Sequence, residues 1–438
     1  MNKKIYFLLL FFMLSALGLQ AQFEISAELR PRLELNHGYV GVPTDQTEPT
    51  YFVSQRSRIN LGFNQEKYRM FFSLQDVRVW GADNISTSTG AFMSTGSTGI
   101  HQVWAEFDVF KNSRIRVGRQ ELKYDDQRLL AGRNWNQYGL TYDALLYSYK
   151  REKWQFDVAL SYNNDASKGG STGFGVNNFD VDPIGRRLRT VNSIYLKNQI
   201  TEKFSLAMLN LLTGYQADKT SSTTYLMATQ GFYGEYKKNA FTGKFNAYYQ
   251  YGKTQSGKDV SASMITAEVD YKARKLSVGV GIDYLSGQDA SNSDADYQSK
   301  FHAFDLLYGG RSARYGNMNQ YLVPGSTRNG GLIDIYPKLA YNFSPKSTLT
   351  ATYHFFSLAT KINEPSDPIN KLEGSLGGEL DMIFAHKFSK EIILSAGVSV
   401  YNTNDTFAKM KGVSPDDIKT PVWGWMMLTF KPTLFNSK

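Results

Sequence analysis

The sequence predicts an all-β chain: a closed antiparallel transmembrane β-barrel of about 18 strands, with short periplasmic turns and long extracellular loops. Three observations lead there. Beyond residue 21 the repeating unit is a period-two segment of about ten residues, the length a tilted strand needs to cross a bilayer. The connections between these segments alternate short and long. The composition interleaves polar and apolar residues finely: 20% of the chain is charged and it carries 28 Tyr, 28 Phe and 6 Trp, yet its mean hydropathy is negative. A polytopic helical membrane protein would need runs of about 20 apolar residues, and a disordered chain would be poor in aromatics. The absence of cysteine excludes disulfide frameworks, thiolate zinc sites, cysteine nucleophiles and a lipoprotein anchor.

Residues 1–21 read as a secretory signal peptide. Lys3 and Lys4 form the basic n-region, Ile5 to Leu14 the apolar core, and Ser15 to Ala21 the small-residue cleavage region. Cleavage after Ala21 leaves residues 22–438 as the barrel and takes the formal charge from +9 to +7, because two lysines and no acids are removed.

Strands are expected at 23–36, 51–64, 68–80, 101–110, 113–124, 139–150, 154–165, 189–200 and 204–216, then at 224–236, 240–252, 261–272, 275–287, 330–343, 347–360, 372–388, 391–402 and 422–431. In the first, Ile25, Ala27, Leu29, Leu33 and Leu35 share one face while Ser26, Glu28, Arg30, Arg32 and Glu34 share the other. In the second, Ile59, Leu61 and Phe63 oppose Arg56, Arg58 and Asn60. Lys111-Asn112, Lys237-Lys238-Asn239 and Ser344-Pro345-Lys346 typify the short turns; the Gly, Ser, Asn and Asp-rich stretches 81–100, 166–188, 288–329 and 403–421 are the long loops. FHAFDLLY at 301–308 is read as part of a folded loop, since another strand would make the count odd. Closure pairs every backbone amide and leaves no edge, which lets so polar a chain sit in lipid. Aromatics near strand ends, among them Tyr51, Trp80, Trp104, Trp154, Tyr215, Tyr248, Tyr249, Tyr251, Trp423 and Trp425, are expected at the two interfaces.

A barrel of this size holds an aqueous lumen unless loops plug it. Arg30, Arg32, Arg56 and Arg58 fall on the polar faces of the first two strands, and Arg78, Arg114, Arg116, Arg119 and Arg128 follow within the first 133 residues. Guanidinium is permanently charged and forks onto carboxylates, so a wall of it would attract a polyanion bearing one carboxylate per unit. The competing reading pairs these arginines with Glu28, Glu34, Glu106, Asp108, Glu121, Asp125 and Asp126 in a neutralised lumen.

FFSLQDVRVWG at 71–81, followed by RVGRQELKYDDQRLLAGRNWNQYGLTYDALLYSY at 116–149, resembles the alginate export family of outer-membrane porins, with GRQEL, DQRLL, NW and YDA in that order. Weaker similarity runs through 301–321 to the closing strand. The resemblance implies a monomeric barrel of eighteen strands in the outer membrane that passes anionic uronate polysaccharide. It also implies Arg78, Arg119 and Arg128 as selectivity residues, with Glu121, Asp125 and Asp143 as acidic partners.

Other motifs carry little. Gly169-Gly170-Ser171-Thr172-Gly173 matches GxSxG but lacks the strand before it and the helix after it. The five histidines show no metal-ligand spacing, and the acidic loop 289–296 lacks the glycine and glutamate of an EF-hand. No cofactor, metal or nucleic acid is expected. The reading is a passive channel for anionic saccharides, working with outer-membrane lipid and, in export, with periplasmic partners. The alternatives are a porin for other small solutes, with its arginines structurally paired, and an enzyme barrel, for which a rim cluster of serine or aspartate with histidine is missing.

Overall fold

The computed structural model describes residues 22–81, 98–163, 188–218, 221–310 and 314–437. The expected signal peptide and the GxSxG segment lie outside them. Eighteen barrel strands run through the described residues: β1 Gln22–His37, β2 Thr50–Asn64, β3 Tyr68–Val79, β4 Thr98–Phe110, β5 Ser113–Gln120, β6 Tyr142–Arg151, β7 Trp154–Ser161, β8 Leu188–Gln199 and β9 Phe204–Gln216. They continue as β10 Thr224–Lys238, β11 Phe241–Lys253, β12 Asp259–Ala273, β13 Leu276–Leu285, β14 Leu332–Ser344, β15 Ser347–Ser357, β16 Ser375–Lys387, β17 Ile392–Asn402 and β18 Val422–Phe430. No helix among the described residues is long and apolar enough to cross a membrane. The crossing elements are strands.

Every strand pairs antiparallel with its sequence neighbours, and β18 closes the cylinder on β1, with Leu35 opposite Gly424 and Leu29 opposite Phe430. Pro432 then interrupts the ladder. Its carbonyl still accepts the Ala27 amide at 3.0 Å, and Thr433–Asn436 resumes pairing with Glu24 to Ser26 after a register shift. Several short turns need left-handed backbone, which Asn112 (φ 65°) and Asn239 (φ 55°) adopt at the low cost asparagine allows. The period-two segments and the alternation of turn and loop therefore become the strands and rims they predict.

Several strand ends shift by a few residues, and the shift at the end of β5 redirects the chain. Alternation continues past Gln120 through Glu121, Leu122, Lys123 and Tyr124, but the chain leaves the wall at Gln120 and returns only at Tyr142. Residues 121–141 turn into the lumen instead. The second long insertion, 286–331, does the same over its described residues 303–310 and 314–323. Of FHAFDLLY only Phe301 belongs to a strand, Lys300–Phe301, which pairs in parallel with Asp259 and Val260. Phe304, Leu306 and Leu307 are buried against Leu122, Leu129 and Leu130.

Strand parity sorts the side chains. Leu29, Leu33, Ile59, Leu74, Phe107 and Val117 are exposed on the outer face, where lipid would cover them. The inner face divides in two. From β6 to β13 it carries an apolar patch, with Ala159, Val191, Leu209, Leu211, Met227 and Met264 in one buried cluster with residues of the two lumenal insertions. Each fully buried leucine or methionine contributes about 1.5–3 kcal/mol to that docking. On β1–β2 and β14–β17 the inner face is polar, and it is there that open space remains.

Parity also corrects the aromatic expectation. Tyr51, Trp80, Trp154, Tyr249 and Tyr251 are exposed on the outer face, but Tyr215, Tyr248, Trp423 and Trp425 are buried inside. Trp423 donates its indole N–H to Glu34 Oε2 at 3.3 Å, and Trp104 carries the Arg116 guanidinium 4.0 Å above its ring centroid. Closeness to a strand end is a weaker guide than the face on which a residue falls.

Candidate functional site

Four neighbouring inward arginines of β1 and β2 converge on one turn of the lumenal insertion. Arg30 donates to the carbonyls of Asn134 (2.6 Å), Trp135 (3.2 Å) and Asn136 (3.0 Å). Arg32 donates to the Trp135 carbonyl at 3.2 Å. Arg56 reaches the carbonyls of Asn134, Asn136 and Gln137 at 3.2–3.3 Å, and Arg58 reaches Asn134 Oδ1 at 3.1 Å. The residues 134–138 thus form a strap whose carbonyls replace water around the guanidinium groups. Two of the four also have carboxylates: Arg56 is bound to Glu28, and Arg32 to Glu34 at 2.9 Å. Among the described residues Arg30 and Arg58 bond only to uncharged groups, Gln137 and Gln75 completing their shells.

Arg128, implied by the resemblance as a selectivity residue, is not open to the lumen. It lies in the lumenal insertion, fully enclosed between Asp126 Oδ2 (2.9 Å) and Asp283 of β13, and within 3.3 Å of the Tyr315 hydroxyl. It pins both insertions to the wall. Asp126 also binds Arg314; burial alone would raise its pKa, but Arg314 and Arg128 hold it below the usual carboxylate range.

Arg78 and Arg119 were expected in the lumen and lie on the opposite face. Arg78 follows inward Val77, so it shares the outer face with Leu74 and Trp80 and pairs with Asp76 at 2.6 Å. Arg119 sits opposite exposed Val103 and two residues from exposed Val117, and it forks onto Asp143 at 2.8–2.9 Å. Asp143 is accordingly an outer-face partner. Of the other expected acids, Glu121 binds Lys123 (2.6 Å) and Asn134 (2.6 Å). Burial opposes its ionisation, but His101, Lys123 and Asn134 bring its pKa down to about 2. Among the described residues Asp125 meets no arginine: the Tyr195 hydroxyl donates to it at 2.6 Å and Lys197 stands at 3.8 Å. Burial raises its pKa to about 6.

The space left beside the strap is a cavity of about 310 Å³. Trp135 borders it from the strap, Arg314 from the second insertion, and Glu268, Lys338, Thr352 and Asp381 from the wall. Lys338 bridges Glu268 (3.1 Å) and Asp270 (2.8 Å). Behind the cavity Asp283, Asp334, Glu379 and Asp381 form an acidic stretch of inner wall, with His354 Nδ1 2.8 Å from Asp334. These lining residues went unselected in the sequence, although Glu268, Asp270 and Lys338 stand at alternate positions on their strands. No cluster of ligands able to hold a metal occurs among the described residues.

The family model for alginate export matches residues 21–419. The chain belongs to the alginate export family. Solved structures with the same fold include Acinetobacter baumannii OccAB1 (11% identity, 95% of this chain and 97% of that one, TM-score 0.61), Pseudomonas aeruginosa OccK9 (11%, 94% and 98%, 0.60) and Pseudomonas aeruginosa OccK5 (10%, 94% and 98%, 0.58). At these identities the likeness speaks for the fold. No curated protein sequence matches the chain. As an alginate export family member with the architecture of outer-membrane porins, it is an outer-membrane β-barrel channel.

Proposed function

We propose that residues 22–438, freed of a signal at 1–21, act as a monomeric, passive channel for anionic polysaccharide or other carboxylated saccharides. The supporting observation is the pair Arg30 and Arg58, whose hydrogen bonds go to uncharged oxygens and which have no direct carboxylate partner among the described residues. Carbonyl dipoles fix a guanidinium in place; they do not remove its field. At a distance of about 10 Å in a water-filled lumen, two such charges favour an anion by about 0.8 kcal/mol, roughly fourfold in occupancy. Arg56 shares this wall, but Glu28 offsets it. A barrel provides no directionality, so export and uptake share this physics.

A second reading, a porin for other small solutes, draws on the acidic wall of Asp283, Asp334, Glu379 and Asp381 and on the pairs Arg56–Glu28 and Arg32–Glu34. Reversal potentials across planar bilayers under a KCl gradient separate the two. The first reading expects chloride to be preferred by at least about threefold; a preference for potassium would overturn it.

A further inference from the structure

The indole of Trp135 is held as few lumenal aromatics are. Its carbonyl accepts from both Arg30 and Arg32 at 3.2 Å, the Arg32 guanidinium lies 5.0 Å from its ring centroid, and its ring meets that of Trp425 at 68° with centroids 4.7 Å apart. The arginines on β1 and β2 therefore do more than contribute charge: they fix the orientation of an aromatic ring that borders the open cavity. Its volume, about 310 Å³, lies at the lower end of the range for small-molecule sites. Around the same cavity stand two cations, Lys338 and Arg314, two carboxylates, Glu268 and Asp381, and the hydroxyl of Thr352.

We propose that Trp135 is the stacking platform of a saccharide subsite, on which the apolar C–H face of a uronate ring rests while Lys338 pairs with its carboxylate and Asp381 or Thr352 meets its hydroxyls. This rests on the carboxylated-saccharide reading above and names where that solute is held. A pyranose presents an apolar face and a rim of hydroxyls, which an indole beside polar groups complements. Lys338 already holds Glu268 and Asp270, so an arriving carboxylate exchanges with an existing partner. Binding is accordingly weak and release fast, the balance that conduction requires. Preorganisation of the ring by Arg30 and Arg32 lowers the ordering cost of each contact.

Single-channel blockade by a short oligouronate and by its carboxyl-reduced, neutral counterpart tests the proposal. With the wild-type channel both interrupt the current, the charged one for longer. Trp135→Ala shortens the dwell of both by roughly two- to tenfold, the range of one aromatic contact, while Trp135→Phe keeps it within about twofold. Lys338→Gln shortens the dwell of the charged blocker alone. If the alanine variant does not form channels, Trp135→Leu, which keeps apolar bulk without a ring, takes its place with the same expected result. Unchanged dwells for both blockers in the ringless variant overturn the platform even where the wild type is anion-selective. A wild-type channel that prefers potassium and is blocked by neither compound overturns the functional reading itself.

Discussion

Arg32 stacks on Trp135 and at the same time hydrogen-bonds to its backbone: the guanidinium carbon lies 5.0 Å from the indole centroid, and Nη1 donates to the Trp135 carbonyl at 3.2 Å. One side chain of the wall thus fixes both the main chain and the ring of the lumenal strap. Glu34 accepts from the same guanidinium at 2.9 Å, so Arg32 is itself held by a carboxylate and adds little net charge. All four arginines anchor the strap, and they differ in how they are paired: Arg32 and Arg56 hold carboxylates directly, while Arg30 and Arg58 have no direct carboxylate partner among the described residues.

This division predicts how selectivity responds to substitution. Arg30→Gln and Arg58→Gln each remove a charge that has no direct carboxylate partner among the described residues, and each should lower the chloride-to-potassium permeability ratio by about twofold, as expected for a unit charge about 10 Å from the path in water. The glutamine amide stands where the guanidinium Nε did, beside Gln137 at position 30 and beside Gln75 at position 58. Reversal potentials measure the effect, and ratios identical to wild type would show that permeating ions do not sense this wall.

The two lumenal insertions are zipped together by backbone. Tyr308 N–H donates to the Leu129 carbonyl at 3.1 Å, Gly310 N–H to Gln127 at 2.8 Å, and Ala131 N–H to Tyr308 at 3.2 Å. Between them a Cβ on Gly309 would fall 1.8 Å from the Arg128 carbonyl oxygen. Gly309→Ala should therefore part the insertions at a cost of about 1–3 kcal/mol, the range for overpacking a tight contact. A larger, noisier conductance and new protease cleavage within 127–131 or 306–310 would report it. A quiet channel with unaltered conductance and no new cleavage would mean the junction does not restrict the lumen.

Most of the barrel was legible in the sequence because its determinants are local. A strand buried on one face in lipid writes its alternation residue by residue, and a two-residue turn is marked by the asparagine that tolerates its φ. The departure at Gln120 was not legible. Leu122 and Tyr124 keep the alternating pattern, and only distant residues explain why they pack inside the lumen: Tyr195 of β8 stacks on Tyr124 with centroids 4.6 Å apart, and both share one buried cluster with Leu306 and Leu307 of the second insertion. The site was read less well for a different reason. Counting by twos from Arg116, which binds inward Glu106, sends Arg119 to the other face; treating every arginine as a pore residue overrides that count. The same count applied to Val77 moves Arg78 outward.

The outer-face position of Arg119 carries its own prediction. Arg119→Leu together with Asp143→Leu removes a charge-neutral pair that is about half exposed on both sides, replacing it with apolar side chains on the lipid-facing side of the wall. Ion selectivity should stay at the wild-type value, and stability should change by no more than about 1 kcal/mol, the upper end for exposed pairs. Reversal potential and thermal unfolding in detergent check both halves; a shifted reversal potential would return Arg119 to the conduction path.

Asp125 makes the docking of the first insertion depend on pH. Its side chain is 3% exposed, one carboxyl oxygen accepts from Tyr195, and Oδ2 has no hydrogen-bond partner among the described residues. Burial raises its pKa to about 6, against about 3.9 for an exposed aspartate. Between these two values the docked state binds more protons than the undocked one, so docking weakens as pH rises from about 4 to about 6 and then levels off. A shift of about two units corresponds to about 3 kcal/mol lost across that window. Asp125→Asn keeps an acceptor for Tyr195 and cannot ionise. It should flatten the pH dependence and strengthen docking at neutral pH, seen as slower amide hydrogen exchange across 121–141. Exchange that varies with pH identically in wild type and variant, once the intrinsic rate is divided out, would assign the dependence to another group.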